Sequence, residues 1–214
     1  MEDGENQINL DRIFGAIDDM WQRYRLLKDA YEQFVSFYYN EIKVAIVGNS
    51  PYPQSPIGIA FCRNSWEELS KENCSGHNLL HALLGMDVAQ LRSKFPSPIS
   101  FFFWLASKGV VFLNRYQEDV FTRKVVSDNS GRVILCGEKA HSLASEEKYK
   151  FPHPSNQAKA QNESEWNAAW KDVETFKQKL DDSDPSCASA IKKALDGIVA
   201  ELNVSNASQG GAER

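Results

Sequence analysis

The chain has 214 residues, 42% of them hydrophobic and 11% aromatic, so it can bury a core of its own without disulfides or metal, as one domain with an appendage. Its formal net charge of −5 excludes nucleic-acid binding through bulk positive charge and leaves that role to a local patch. Cys62, Cys74, Cys136 and Cys187 form no CxxC pair and no zinc-ligand spacing with histidine, which argues against a zinc ribbon or iron–sulfur cluster and fits reduced thiols.

The opening segment MEDGENQINL is acidic and polar and reads as neither a signal nor a transit peptide. No apolar run approaches the ~20 residues that span a bilayer. An intracellular, cytoplasmic protein with no membrane partner is expected.

Apolar residues Leu10, Ile13, Phe14, Ile17, Met20, Trp21, Tyr24 and Leu27 recur at helical spacing and predict a helix over 9–39. The period then changes. Val44 to Val47 is a β-branched apolar run that stops at Gly48-Asn49-Ser50-Pro51, the pattern of a buried parallel strand feeding a loop. Short helices are expected over 65–72 and 78–84, and another over 98–107 with Pro98 in its first turn. Val110 to Leu113 predicts a second strand ending at Asn114, and 132–136 a third, closed by Gly137. A helix over 138–145 and a short strand over 148–151 follow, before Pro152-His153-Pro154-Ser155. Trp166, Trp170, Val173, Phe176 and Leu180 form one helical stripe, broken at 181–185, and 187–202 predicts a last helix. From Asn203 the composition is small and polar, which predicts a disordered tail.

Strands alternating with helices predict an α/β fold: three layers, αβα, around a short central parallel sheet of about four strands, with an N-terminal helix and C-terminal helices. The expected organisation is an α/β domain over 1–160, a helical extension packed on it over 161–203, and the tail over 204–214. Ligands of such sheets bind beyond the carboxyl ends of the strands. Those ends carry Asn49-Ser50, Asn114, Gly137 and His153.

Four segments in order carry a resemblance. They are VAIVGNSPYPQSPIGIAFC at 44–62, WLASKGVVFLN at 104–114, VILCGEKAHS at 133–142 and HPSNQA at 153–158. The region from Lys43 to Ala158 resembles the uracil-DNA glycosylase superfamily, whose GQDPYH loop with its GLAF segment, WAxxGVLLLN segment, strand with a following Gly-Ser loop and HPSPLS loop they resemble in order and spacing.

The resemblance implies a pocket for one flipped-out base, cleavage of its N-glycosidic bond by water, and no metal or cofactor. Such chemistry needs a stacking surface, donors for the departing base anion and a group that places water. By resemblance Phe61 stacks on the base, Tyr52 stands beside its C5 position, Asn114 reads its polar edge and Asn49 binds it. His153 donates to the O2 carbonyl. Ser50 stands where the family has the Asp that positions water, and a serine holds water without offsetting a sugar cation. Pro53 replaces the motif's His, and Glu138 follows Gly137 where the family has a phosphate-contacting Ser. DNA is the expected partner, through Ser55, Lys139, Ser155 and Gln157, with His141 and Lys159 as further phosphate contacts. Taken alone, each of these residues also fits an ordinary role in a core, cap or solvated surface. Three functions stand: a uracil-DNA glycosylase of base-excision repair, a specialised glycosylase for a modified base in foreign DNA, and a non-catalytic DNA- or base-binding protein. The C-terminal helices could also serve a dimer or a protein partner.

Overall fold

The computed structural model describes residues 19–49, 56–115, 119–144 and 149–209. Helix α1, Met20–Phe37, starts where the Asp19 side chain accepts the Gln22 amide, an N-cap that satisfies one orphan donor of the first turn. It buries Tyr24, Leu27, Tyr31 and Val35, the three-and-four spacing of one face. Residues 9–18 of the predicted helix lie outside the described residues.

Strand β1, Val44–Gly48, is buried throughout. Helices α2, Trp66–Leu69, and α3, Ser75–Leu84, follow, and α3 ends at Gly85 in the left-handed region. Next come α4, Val88–Arg92, and α5, Pro98–Ser107. Strand β2 is Val110–Asn114, α6 is Val120–Asp128 and β3 is Val133–Cys136. Helix α7, Glu138–His141, leads to β4, Lys150–Phe151. The chain then runs through α8, Asn156–Gln161, α9, Glu163–Trp170, α10, Val173–Ser183, and α11, Pro185–Gln209.

The strands form one parallel sheet in the order β2-β1-β3-β4. Gly48 at the end of β1 lies opposite Asn114 at the end of β2, and Cys136 of β3 opposite Phe151 of β4. The strand ends are therefore level on one side. Nearly every strand residue is buried, as expected of a parallel sheet covered on both faces. This is the three-layer α/β architecture that the alternation of strands and helices predicts. Edge strand β2 is covered by α1, whose Tyr31 hydroxyl accepts the Phe112 amide at 3.0 Å, pairing a donor that an open edge would expose.

Helices α9, α10 and α11 pack on α3, and α11 also on the turn at Ser130–Arg132. Ala188, Ile191, Leu195, Ile198 and Leu202 of α11 belong to the same buried cluster as the strands. The apolar stripe of the last helix is thus spent inside the chain.

Several elements differ from the sequence reading. The stripe over 163–180 is two helices, because Asp172 accepts the Thr175 amide at 2.8 Å and caps a new one. Helix α11 continues to Gln209, through residues 203–209 of the expected tail. Helix α7 stops at His141, and β4 is only two residues long. Helices α4, α6 and α8 are additional; all three are short and follow the N-cap residues Asp87, Asp119 and Ser155.

Candidate functional site

The carboxyl ends of all four strands open into one cavity of about 890 Å³. Of the residues singled out from the sequence, Asn49, Phe61, Asn114, Lys139, His141, His153, Ser155 and Gln157 line it. Ser50, Tyr52, Pro53 and Ser55 lie outside the described residues. Lys159 does not line the cavity; its ammonium sits 4.9 Å from the centre of the Trp166 ring, a cation–π contact.

Asn114 occupies the floor. It is the last residue of β2, 4% exposed, and its backbone carbonyl accepts the Thr122 hydroxyl at 3.2 Å. Its side-chain Nδ2 is buried and has no hydrogen-bond partner among the described residues. A buried amide donor left unpaired costs about 1–3 kcal/mol. Such a group, lining a cavity, is placed to bond a ligand.

Phe61 forms part of the wall, with φ of +63°, a left-handed conformation that costs a non-glycine residue roughly 1–2 kcal/mol. Its ring lies against Gly48, where a Cβ would come within 3.0 Å of Cζ. Only a glycine at the end of β1 leaves that seat at full width. The Phe61 and His153 rings lie 5.8 Å apart, tilted by 41°.

His153 follows β4 and Pro152. Burial pushes its imidazole down to a pKa of about 4, because desolvation disfavours the charged form. At neutral pH the ring is uncharged and carries one N–H for donation. Its loop is held from two sides. The Trp170 indole donates to the Pro152 carbonyl at 2.9 Å, and Asn78 of α3 donates to the Pro154 carbonyl at 2.8 Å.

Other predicted residues have structural work of their own. Asn49 Oδ1 accepts the Ala140 amide at 3.1 Å, so its side chain ties the end of β1 to the first turn of α7. It rests on Gly137, whose φ is +92° and where a Cβ would meet Asn49 Nδ2 at 2.5 Å. Ser155 Oγ accepts the Ala158 amide and caps α8, which leaves the hydroxyl proton free to donate. One His141 ring nitrogen lies 2.8 Å from the Phe151 carbonyl, so it buttresses β4. Lys139 and Gln157 are exposed at the mouth.

Sequence reasoning missed Ile57, Ile59 and Ser75, which complete the inner wall, and Gln161, Asn162 and Glu165 at the rim. The rim residues follow Gln157 at helical spacing. Gln161 ends the helix that the N-cap Ser155 signals, a helix whose six residues carry no buried stripe, while Asn162 caps α9 and Glu165 lies in its first turn.

Among the described residues no three His, Cys, Asp or Glu side chains cluster as a metal site, and no helix is long and apolar enough to cross a membrane. In comparisons with known proteins, no family model, no curated protein and no solved structure matches the chain.

Proposed function

We propose that the cavity holds one nucleobase turned out of a DNA strand, and that the protein hydrolyses the bond joining that base to deoxyribose. The base is uracil or a related modified base, and the product is an abasic site. The observation that carries this reading is the buried, unpartnered Nδ2 of Asn114 in a cavity shared with the Phe61 ring and the neutral His153.

The roles follow from the chemistry. Phe61 stacks on the base, and the Asn114 amide pairs with its polar edge, offering both donor and acceptor. As the glycosidic bond stretches, negative charge develops on the base and cationic character on the sugar. An N–H of His153 donates to the carbonyl where that charge collects. Water adds to the sugar carbon as the bond to the base breaks, and the proton it loses passes through solvent to the departing base, which leaves neutral, so no covalent intermediate forms. Ser50 holds that water and Tyr52 limits substituents at C5. Lys139, Ser55, Ser155 and Gln157 meet the strand, and Asn49, tied to α7 through the Ala140 amide, binds the base from the end of β1.

A second reading, base binding without cleavage, has its own support. The cavity's carboxylates among the described residues are Glu138 and Glu165, both exposed, and Glu165 accepts the Asn162 side-chain amide at 2.9 Å. Neither is a buried base beside Asn114.

The test is base release from single- and double-stranded DNA carrying one uracil, at high protein concentration, with alkali to reveal abasic sites. Cleavage is expected, reduced about a hundredfold or more in Asn114→Ala and in His153→Ala. Asn114→Ala should keep its melting temperature, because it removes an unpaired donor and no bond. Absence of cleavage by folded protein, with retained binding of uracil, would establish the second reading in place of the first.

A further inference from the structure

The cavity exceeds what a single base needs. About 890 Å³ lies near the upper end of the range for drug-sized ligands, which reach about 1,000 Å³. Its inner part, at Phe61 and Asn114, is buried, and the exposed lining residues mark its mouth.

That mouth is unlike an anion site. Its charged residues among the described lining are Glu138, Lys139 and Glu165, two carboxylates against one ammonium. Lys159, on the same helix as Gln157, is engaged over the Trp166 ring. The other exposed lining residues among those described are amides, Asn73, Gln157, Gln161 and Asn162, of which Asn162 is bonded to Glu165. Amides hydrogen-bond neutral hydroxyls and carbonyls well, whereas phosphate recognition relies on cations, whose pairing with it makes affinity fall with salt.

We infer that the cavity recognises a whole nucleoside, the base inside and the uncharged sugar at the amide-rich mouth, with little contribution from phosphate. This rests on the base-binding reading above and names its substrate class: a free nucleoside, or a strand gripped by base and sugar instead of by its backbone. Gln157 and Gln161 become sugar-reading residues. The carboxylates of Glu138 and Glu165 oppose a phosphate there.

Calorimetric titration of the full chain with uracil, 2′-deoxyuridine and its 5′-monophosphate, at about 20 and about 300 mM salt, tests the inference. The nucleoside should bind at least as tightly as the monophosphate and more tightly than uracil, with affinity changing less than about threefold between the two salts. The double variant Glu138→Gln, Glu165→Gln should raise monophosphate affinity severalfold at low salt. A monophosphate bound about tenfold more tightly than the nucleoside, with a steep fall at high salt, would overturn the inference. So would unchanged monophosphate affinity in the double variant, or no binding of the nucleoside. If the inference falls while uracil still binds or is released from DNA, the base-binding reading stands. If neither uracil binding nor release is seen, both fall.

Discussion

His153 shows how one side chain links the site to the stability of the chain. Its folded pKa of about 4 lies below the ordinary histidine value of 6.5. Between those values the unfolded chain binds more protons than the folded one, so stability rises with pH across that window. The contribution is complete above pH 6.5 and is lost as pH falls toward 4. By pH 5 the loss amounts to about 2 kcal/mol by linkage. Urea unfolding from pH 7 down to 5 should show the wild type losing that much more than His153→Phe, which does not titrate. Equal losses in the two proteins would mean that the imidazole is not held neutral by burial.

The same scale shows what the sequence made legible. Asn49, Asn114 and His153 stand at the ends of strands, and the strand pattern placed them together, whereas Phe61 was singled out only by the resemblance of the 44–62 segment. The capping bond from Asn49 to Ala140 was not visible, because it joins residues far apart in the chain. The left-handed backbone of Phe61 was equally hidden, since aromatic residues rarely adopt it.

At the scale of elements, the C-terminal helices act on the site through their bonds to the His153 loop. Trp170 of α9 packs against Phe151 at 5.2 Å and Phe176 at 5.9 Å between ring centres, and its indole N–H bonds the Pro152 carbonyl. Trp170→Phe keeps an aromatic ring there and removes the hydrogen bond. It should cost about 1 kcal/mol of stability and weaken uracil binding severalfold, readable by calorimetry and thermal melting. Unchanged binding would show that the loop is held without α9. The elements themselves were legible in proportion to their length. The five-residue strands and the long helices carried clear periods. Helices α4, α6 and α8 span nine residues or fewer, too short for a stripe to stand out. The break between α9 and α10 was masked because Trp166, Trp170, Val173 and Phe176 keep helical spacing straight across it. The local competitor was the Asp172 cap, which offers the backbone an alternative to continuing.

At the scale of the molecule, the sheet and the last helices share one buried cluster. The Tyr149 hydroxyl, beside β4, donates to the Asp184 carbonyl between α10 and α11 at 2.9 Å. A chain ending after Asn162 would uncover Phe151 and Tyr149, both fully buried in the whole protein. Such a truncation should give no cooperative thermal transition by circular dichroism, whereas the full chain should unfold in one step. A cooperative transition in the truncated chain would show that the α/β part folds alone.

The strand order has a further consequence, in time. The interior strand β1 pairs Val44 with Val110 and Ala45 with Val133, so both its neighbours come from much later in the chain. During synthesis at about 5–20 residues per second, Val44 to Val47 leave the ribosome several seconds before their partners exist. They form an apolar, β-branched run with nothing to pair with. Loops of this length must close before any sheet bond repays them. The emerging chain is therefore most exposed to aggregation and to chaperone capture before β2 and β3 are made. That window closes only when the strands that bring Asn114 and Gly137 to the end of β1 arrive; β4 and the His153 loop after it then complete the sheet and the cavity.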